Sequence, residues 1–543
     1  MNRNLSEIFQ YNISSVSKRA SLFRANGEFR IAIVGCGAAG VSTLFELLKE
    51  LPSIGEQKVK IVIFEKGPAF GPGFAYQCDS KELLMNMISS TTSIIQNQEN
   101  DFWNWVIDQG CHFGDDQIFS KAGIAPDGYV SRQYFGAYLR SRLEKVTSAL
   151  EKLGIETVLI NMEVLNIVAL DKNRFKVIFP KNCSEEFNCI ILCTGNEAPE
   201  DIFKLKGASQ YVNNPYPTTQ YLQLIKRHES VGIIGGQLTA ADIAVVLANQ
   251  SHQGPIYFFT RENNFPLIRS RIKRHDLKYL TLSNLNKLRE KNEITIRSIL
   301  RLARKEFLAT GVRWNSFFKP CKEEYSSWIH SLLLNESNFS SWQSFAIETD
   351  SVIGEYWNSL SNADKSLFTR KFHRSWSTKR VPLPKHTALK LLSLFRLGIL
   401  RHYSNLQRID SFGRNKFVAS ISCPQKSVTN NQIFCDWVIN ASGPSKSING
   451  SESVLIKNLL ESSLVAKNLH GGISLDYESS LVMDANGEKV NNFYAIGQIT
   501  AGTYYFVSSL DMVSLRAKAA VNHLITRLGN DDYRLKQDSL YAP

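Results

Sequence analysis

Nine cysteines are scattered through 543 residues without a C-x-x-C pair, and ten histidines form no H-E-x-x-H. Zinc sites and dithiol redox centres of ordinary spacing are thereby left out, and no metal ligand is expected. No apolar run is long enough to span a bilayer. The polar stretch Met1 to Glu28 lacks the apolar core of a signal peptide, so the expected location is cytoplasmic. No Ser-His-Asp set or carboxylate pair stands at a spacing that speaks for hydrolysis. Cys189 and Cys193 fall in an apolar strand pattern, Asn188-Cys-Ile-Ile-Leu-Cys193, and read as core filler.

What is present is an ordinary globular composition, 43% hydrophobic and 21% charged, on a chain long enough for several domains. The net charge of +13 calls for acidic partners. Basic residues gather at Arg269 to Arg274, Arg297 to Lys305 and Lys371 to Arg380. No nucleic-acid module accompanies them, so the charge is read as attraction for anionic cofactors plus solvated helix faces. Neither a nucleic acid nor a membrane is an expected partner; a homo-oligomer stays open.

The most informative stretch is Arg30-Ile-Ala-Ile-Val-Gly35-Cys-Gly37-Ala-Ala-Gly40. An apolar strand drops into G-x-G-x-x-G, a helix pattern follows, and Lys60-Ile-Val-Ile-Phe-Glu65 is a second strand ending in an acid. Gly35 permits the tight turn, Gly37 lets the backbone approach a pyrophosphate, and Gly40 allows close helix packing. The helix N-terminus offers N–H groups to phosphates, and Glu65 can accept from a ribose hydroxyl.

A second such unit begins at Ser230-Val-Gly-Ile-Ile-Gly235-Gly-Gln237-Leu-Thr239-Ala240-Ala-Asp242, and its next strand, Pro255 to Thr260, ends at Arg261. An acid suits a free ribose 2′-hydroxyl and an arginine a 2′-phosphate, which points to FAD first and NADPH second. Gln237 departs from the pattern by adding a side chain at the second glycine position.

Elsewhere, Gly67 to Tyr76 is too rich in glycine and proline for regular structure. Helices are expected at Asp101 to Ile107, Arg132 to Leu150 and Ser509 to Leu528. Short strands are expected at Glu156 to Ile160, Glu163 to Ala169, Phe175 to Phe179 and Cys189 to Leu192, the last running into Cys193-Thr194-Gly195. Residues 266 to about 397 are helical by pattern, with Ile296, Ile299, Leu300 and Ala303 on one buried stripe. Strands resume near Arg401, at Phe417 to Ser420 and at Trp437 to Asn440 before Ala441-Ser-Gly443; Asn492 to Gly497 is another strand stopped by glycine.

Together these residues resemble the two-dinucleotide-binding-domain flavoproteins. More narrowly, the chain is similar to a bacterial FAD/NAD(P)-binding subgroup that includes aspartate N-hydroxylases and a FAD-dependent urate hydroxylase. The landmarks are Phe70-Gly71-Pro-Gly73-Phe-Ala-Tyr76, Leu83-Leu-Met-Asn86, Phe102-Trp-Asn-Trp105 and Tyr134-Phe-Gly136-Ala-Tyr138. Further ones are Trp376-Ser-Thr-Lys-Arg380-Val-Pro382 and Tyr494-Ala-Ile-Gly497-Gln-Ile-Thr-Ala-Gly502-Thr503.

The resemblance implies an α/β protein with two Rossmann-like domains, the FAD domain split in sequence. It gives an arm over 1–28, FAD-binding segments at 29–204 and 436–530, and a tail at 531–543. An NAD(P)-binding domain fills 205–435, with the helical insertion at about 266–397. FAD contacts are expected from Gly35, Gly37, Ala38, Ala39, Gly40, Glu65, Lys66, Gly73, Asn86, Thr194, Gly195, Gly497, Gln498, Gly502 and Thr503. Gly235, Gln237, Thr239 and Arg261 are the NADPH contacts. Gln498 stands where many relatives place an aspartate for the ribityl chain.

The activity implied is that of an NADPH-consuming FAD monooxygenase acting through a C4a-hydroperoxyflavin on molecular oxygen and a small amine or amino acid. A dehydrogenase or oxidase without oxygen insertion, and a non-catalytic flavin- or nucleotide-binding protein, are the competing classes. Asn86 is either a donor near the flavin or a turn cap. Arg380 is either a clamp for a substrate carboxylate or an ion-pair partner. Trp376 is a cavity wall or a core residue, and His373 and His386 are candidate bases.

Overall fold

The computed structural model describes residues 28–55, 58–109, 126–270, 275–311, 314, 321, 323–335, 340–413, 416–422 and 431–540. The arm over 1–27, the basic residues 271–274 and the last three residues lie outside them.

Two sheets organise the chain, parallel throughout except at the edge strand Leu481–Met483, which runs antiparallel to its neighbour. The first has six strands in the order Leu481–Met483, Lys489–Ala495, Cys189–Leu192, Phe29–Val34, Val59–Phe64, Glu156–Ile160. Its central strands Phe29–Val34 and Val59–Phe64 run parallel, Phe29 opposite Val59 and Val34 opposite Phe64. Val59–Phe64 is buried throughout, as a strand covered on both faces must be, and it is apolar except for Lys60, whose ammonium pairs with Glu156 at 2.6 Å. Lys489–Ala495, from late in the chain, joins this sheet beside Cys189–Leu192. The first dinucleotide unit is therefore completed by both halves of the sequence, as the split domain requires.

The second sheet has five parallel strands, Leu400–Tyr403, Ile256–Phe259, Val231–Ile234, Trp437–Asn440 and Tyr211–Val212. Between the neighbouring strands Ile256–Phe259 and Leu400–Tyr403 the chain leaves the sheet and builds a helical body, from Leu282–Glu290 to Lys385–Arg396. Two three-stranded antiparallel sheets flank the core: Asn166–Ala169 with Phe175–Phe179 and Cys183–Phe187, and Leu406–Phe412 with Lys416–Ile421 and Asn431–Cys435.

Several boundaries move from their expected places. Trp437–Asn440 pairs with Val231–Ile234, so it belongs to the second sheet, and the return to the first lies beyond Asn440 rather than at 436. The last helix runs Leu510–Leu540, through the segment expected to be a tail. Cys183–Phe187, Leu406–Phe412 and Asn431–Cys435 escape the sequence pattern because their polar outward faces leave no apolar run.

The junction between the two parallel-sheet regions is pinned by buried charge. Arg132, at the start of helix Arg132–Lys152, meets Asp242 of the second fingerprint helix at 2.8 Å. The Tyr216 hydroxyl donates to the same carboxylate at 2.6 Å. Burial pushes the Asp242 carboxyl up, and the Arg132 guanidinium works against that. Asp79 accepts from the backbone N–H of Thr218 at 2.8 Å, a second tie across the same seam.

Candidate functional site

The two glycine turns share one construction. Gly35 has φ +107 and its missing Cβ would lie 2.1 Å from the carbonyl oxygen of Cys193. Gly235 has φ +125, and its missing Cβ would lie 2.7 Å from the carbonyl oxygen of Ala441. In each unit the strand leading back from the neighbouring segment presses its last carbonyl onto the first glycine, a place no side chain can occupy. Helices Ala38–Glu50 and Leu238–Asn249 start just beyond, with Gly37 and Gln237 at their N-caps and no side-chain cap on either. Their first N–H groups are therefore left for an anion.

In the first unit the expected residues come together. Glu65, 8% exposed, accepts from the Cys36 N–H at 2.8 Å and from the Gly67 N–H at 2.7 Å. Each oxygen keeps lone-pair capacity for a ribose hydroxyl. The glycine-rich loop folds over the turn: Gly71 N–H donates to the Cys36 carbonyl at 2.8 Å, and a Cβ on Gly73 would lie 2.8 Å from Gly37 Cα. Thr194 carries a buried hydroxyl oxygen without a hydrogen-bond partner, beside the positive-φ Gly195. Gly497 faces Ala39, the missing Cβ 3.8 Å from that methyl, which brings the late strand to the start of the first helix. Ala38, Ala39 and Gly40 form that helix's first turn. Lys66 is exposed and pairs with Glu163 at 3.7 Å. These features fit FAD: a cradle closed to any Cβ, a fixed carboxylate for the ribose, and an orphaned hydroxyl.

The thiols here do no chemistry as nucleophiles. Burial pushes Cys193 up to about 12 and raises Cys36 and Cys189 as well, in keeping with core packing.

The second unit is more open. Arg261 is exposed past the end of strand Ile256–Phe259. Its charge reaches Arg374, which burial chiefly holds below its ordinary range and Glu262, 2.9 Å away, raises. Gln237 turns its amide to the insertion, donating to the Thr378 hydroxyl at 2.6 Å. Thr239 is half-buried in the first turn of its helix. Two guanidinium groups at this strand end fit a 2′-phosphate.

Where the two units meet, the late segment makes a wall. Gly502 accepts from the Trp357 indole N–H at 2.8 Å, and Thr503 is 7% exposed. Tyr505 adopts φ +66, a strained conformation for a bulky residue, and its hydroxyl meets His373 Nδ1 at 2.9 Å. His373 Nε2 lies 3.5 Å from the Lys446 ammonium, which also sits 5.2 Å over the Tyr505 ring. Burial, and then Lys446, hold His373 down at about 3, and burial holds Lys446 at about 8. His373 is thus a neutral link, while His386 is exposed at a distant helix start.

Arg380 is committed elsewhere. It pairs with Asp350, bonds the Ala346 carbonyl and the Thr349 hydroxyl, and lies 4.2 Å over the Phe506 ring. That is the ion-pair alternative, and it leaves little of the guanidinium for a substrate carboxylate. Asn86 is half-buried; among the described residues its side-chain amide bonds nothing, so it caps no turn. Its backbone carbonyl accepts from Arg269 at 2.8 Å. Arg269 is 9% exposed with an unpartnered Nε, and among the described residues it meets no carboxylate. Arg269, Lys446 and Trp357 were not singled out for the site by sequence, because lone basic or aromatic residues carry no spacing signal. Gln498 is half-buried, and among the described residues its side chain bonds nothing.

Residues 32–197 match the FAD-NAD(P)-binding family. The fold is that of an ornithine N-hydroxylase from Kutzneria sp. 744 solved with reduced FAD, NADP⁺ and L-ornithine: 14% identity, 92% of this chain and 98% of that chain covered, TM-score 0.53. It is equally that of L-lysine 6-monooxygenase from Pseudomonas syringae, at 13% identity, 92% and 99% coverage and TM-score 0.55. The FAD-bound cadaverine monooxygenase of Erwinia amylovora gives 11%, 92% and 95%, and TM-score 0.55. At such identities the likeness is one of fold. The uncharacterized protein YdhS of Escherichia coli (strain K12) is 25% identical over 229 residues, 41% of this chain and 40% of that protein.

Proposed function

We propose that this chain, which has the fold of the two-dinucleotide-binding-domain flavoproteins and carries an FAD/NAD(P)-binding domain, is an NADPH-consuming FAD monooxygenase. Its substrate would be a small amine or amino acid, hydroxylated at nitrogen. The observation that carries this is the pairing of two equivalent glycine turns with side chains of opposite charge at the next strand end, the buried acceptor Glu65 in one and the exposed donor Arg261 in the other. Bound FAD, reduced by NADPH, would supply the electrons and the activation of oxygen.

The protein's own part is geometry. Gly35, Gly37 and the first turn of Ala38–Glu50 would hold the pyrophosphate, Glu65 the adenosine ribose and Thr194 a further cofactor oxygen. Gly502, Thr503 and the Trp357–Tyr505 pair, with ring centroids 4.8 Å apart, would back the flavin ring and keep water out. No strong protein base is needed, since an unprotonated amine is itself the nucleophile.

The test is to mix purified, FAD-loaded protein with NADPH anaerobically, follow flavin absorbance, and then admit oxygen and candidate amines. Bleaching followed by matched consumption of NADPH and oxygen, with hydroxylated product, is the expected result. Bleached flavin that oxygen does not reoxidise and that turns over only with another electron acceptor would make the chain a dehydrogenase. No bleaching with either nicotinamide would leave a binding protein.

A further inference from the structure

The helical body that leaves the second sheet is not solidly packed. It leaves a half-open cavity of about 90 Å³ whose walls include Ile299, Ala303, Val352, Trp357, Trp376 and Tyr505. Ile299 and Ala303 belong to the stripe that sequence periodicity assigned to a buried core. Here both are only partly buried: the stripe packs against the core on one side and lines a hollow on the other. Tyr505 is the one wall residue from the late flavin-side segment, and Trp357 bonds Gly502, so the cavity abuts that segment.

Its polar groups are nearly all spent. The Tyr356 hydroxyl donates to the Thr281 carbonyl at 2.9 Å, and the Thr349 hydroxyl to the Ala346 carbonyl at 2.6 Å. The Trp357 N–H and the Tyr505 hydroxyl are bonded as described. The Trp376 indole N–H, on a side chain 8% exposed, has no partner but is itself shut off from the cavity, whose wall is almost wholly apolar. Among the described residues no charged side chain lines the cavity.

The geometry points to an apolar subsite: the cavity takes a short aliphatic group of the substrate. This rests on the monooxygenase reading above, with the flavin beside Gly497 to Thr503, and it narrows the substrate to an aliphatic amine. The second charged group of a diamine, or the charged groups of an amino acid, would enter a wall with nothing to pair them. Size sets the chain length. An apolar hollow of about 150 Å³ admits benzene, so this smaller one suits roughly a four- or five-carbon chain and not a bicyclic ring.

The experiment uses the full-length chain and the n-alkylamines from propyl to octyl, with lysine and ornithine as polar comparisons. Trp357 and Trp376 stand in the wall, so quenching of tryptophan fluorescence reports filling whether or not FAD is bound. Affinity should rise about fourfold per methylene as far as butyl or pentyl and then level off. Ala303→Leu, which narrows the hollow mildly, should shift the plateau to a shorter chain; Ala303→Trp should abolish binding. FAD content should stay as in the parent for the milder variant, which shows that it is folded. Binding independent of chain length, or lysine binding as tightly as butylamine, would overturn the subsite. So would quenching by amines that FAD-loaded enzyme turns over no better than lysine. Length-dependent quenching in a protein that NADPH does not bleach would instead sink the monooxygenase reading and leave a hollow for aliphatic groups that is not a substrate subsite.

Discussion

The two glycine turns are alike in backbone and unlike in everything that surrounds them. In the first, the acceptor Glu65 is buried and held by two backbone N–H groups, and a glycine loop closes over the turn. In the second, Arg261 is exposed, and the second glycine position carries Gln237, bonded to the insertion at Thr378. A preorganised, enclosed site loses little freedom on binding and releases its ligand slowly; an open one exchanges. The contrast is what a resident FAD and a transient NADPH would demand of one repeated architecture.

The strongest way to break that comparison is at the glycines. Gly35→Ala should abolish FAD retention and lower the Tm by several degrees, since strain at positive φ alone costs about 1–3 kcal/mol and the carbonyl of Cys193 blocks the methyl. Gly235→Ala should leave the flavin-to-protein absorbance ratio intact and slow reduction by NADPH. Equal loss of FAD in both variants would mean the two turns do not serve different ligands. Next in size, Arg261→Ala should raise the KM for NADPH about ten- to a hundredfold, the worth of a charge-assisted hydrogen bond, with little change for NADH. Steady-state kinetics with both nicotinamides decide it, and equal losses would remove the 2′-phosphate assignment. Arg374→Ala should act in the same direction but more weakly, because Glu262 already pairs that guanidinium.

Thr194→Val sharpens the contrast from the other side. Its hydroxyl bonds nothing in the protein, so the apo Tm should hold steady while FAD affinity falls about three- to tenfold. A lower apo Tm with unchanged FAD affinity would give the hydroxyl a purely structural part. The smallest effect concerns pH. Lys446 is held at about 8 against an ordinary 10.5, so between those values the unfolded chain binds more protons than the folded one, and stability rises with pH across that window. Lys446→Met should flatten the rise in a Tm series from pH 7 to 10.5. An unchanged slope would show that Lys446 keeps its ordinary basicity.

The fingerprints were legible because their physics is local. A turn needing positive φ, a strand before it and a helix after it lie within a dozen residues, and Glu65 and Arg261 follow at the next strand end. The split of the first domain was anticipated only through the family resemblance; nothing in the strand before Gly497 says by itself which sheet it joins. The walls of the site were not legible. Tyr505 and His373 are 132 residues apart, and Arg269 reaches Asn86 across 183. Arg380 read equally well as a clamp or an ion-pair partner until Asp350 was beside it.

The amino-acid pattern alone therefore determined the two turns, their strand-helix-strand frames and the opposite charges at their next strand ends, because backbone conformation and hydrophobic periodicity act between near neighbours. Only the tertiary structure decided which of the described cations meet no carboxylate and where an apolar stripe lines a hollow as well as a core. Those outcomes depend on what packs against what across long loops, and a helix face is the same sequence whether it covers a core or lines a cavity.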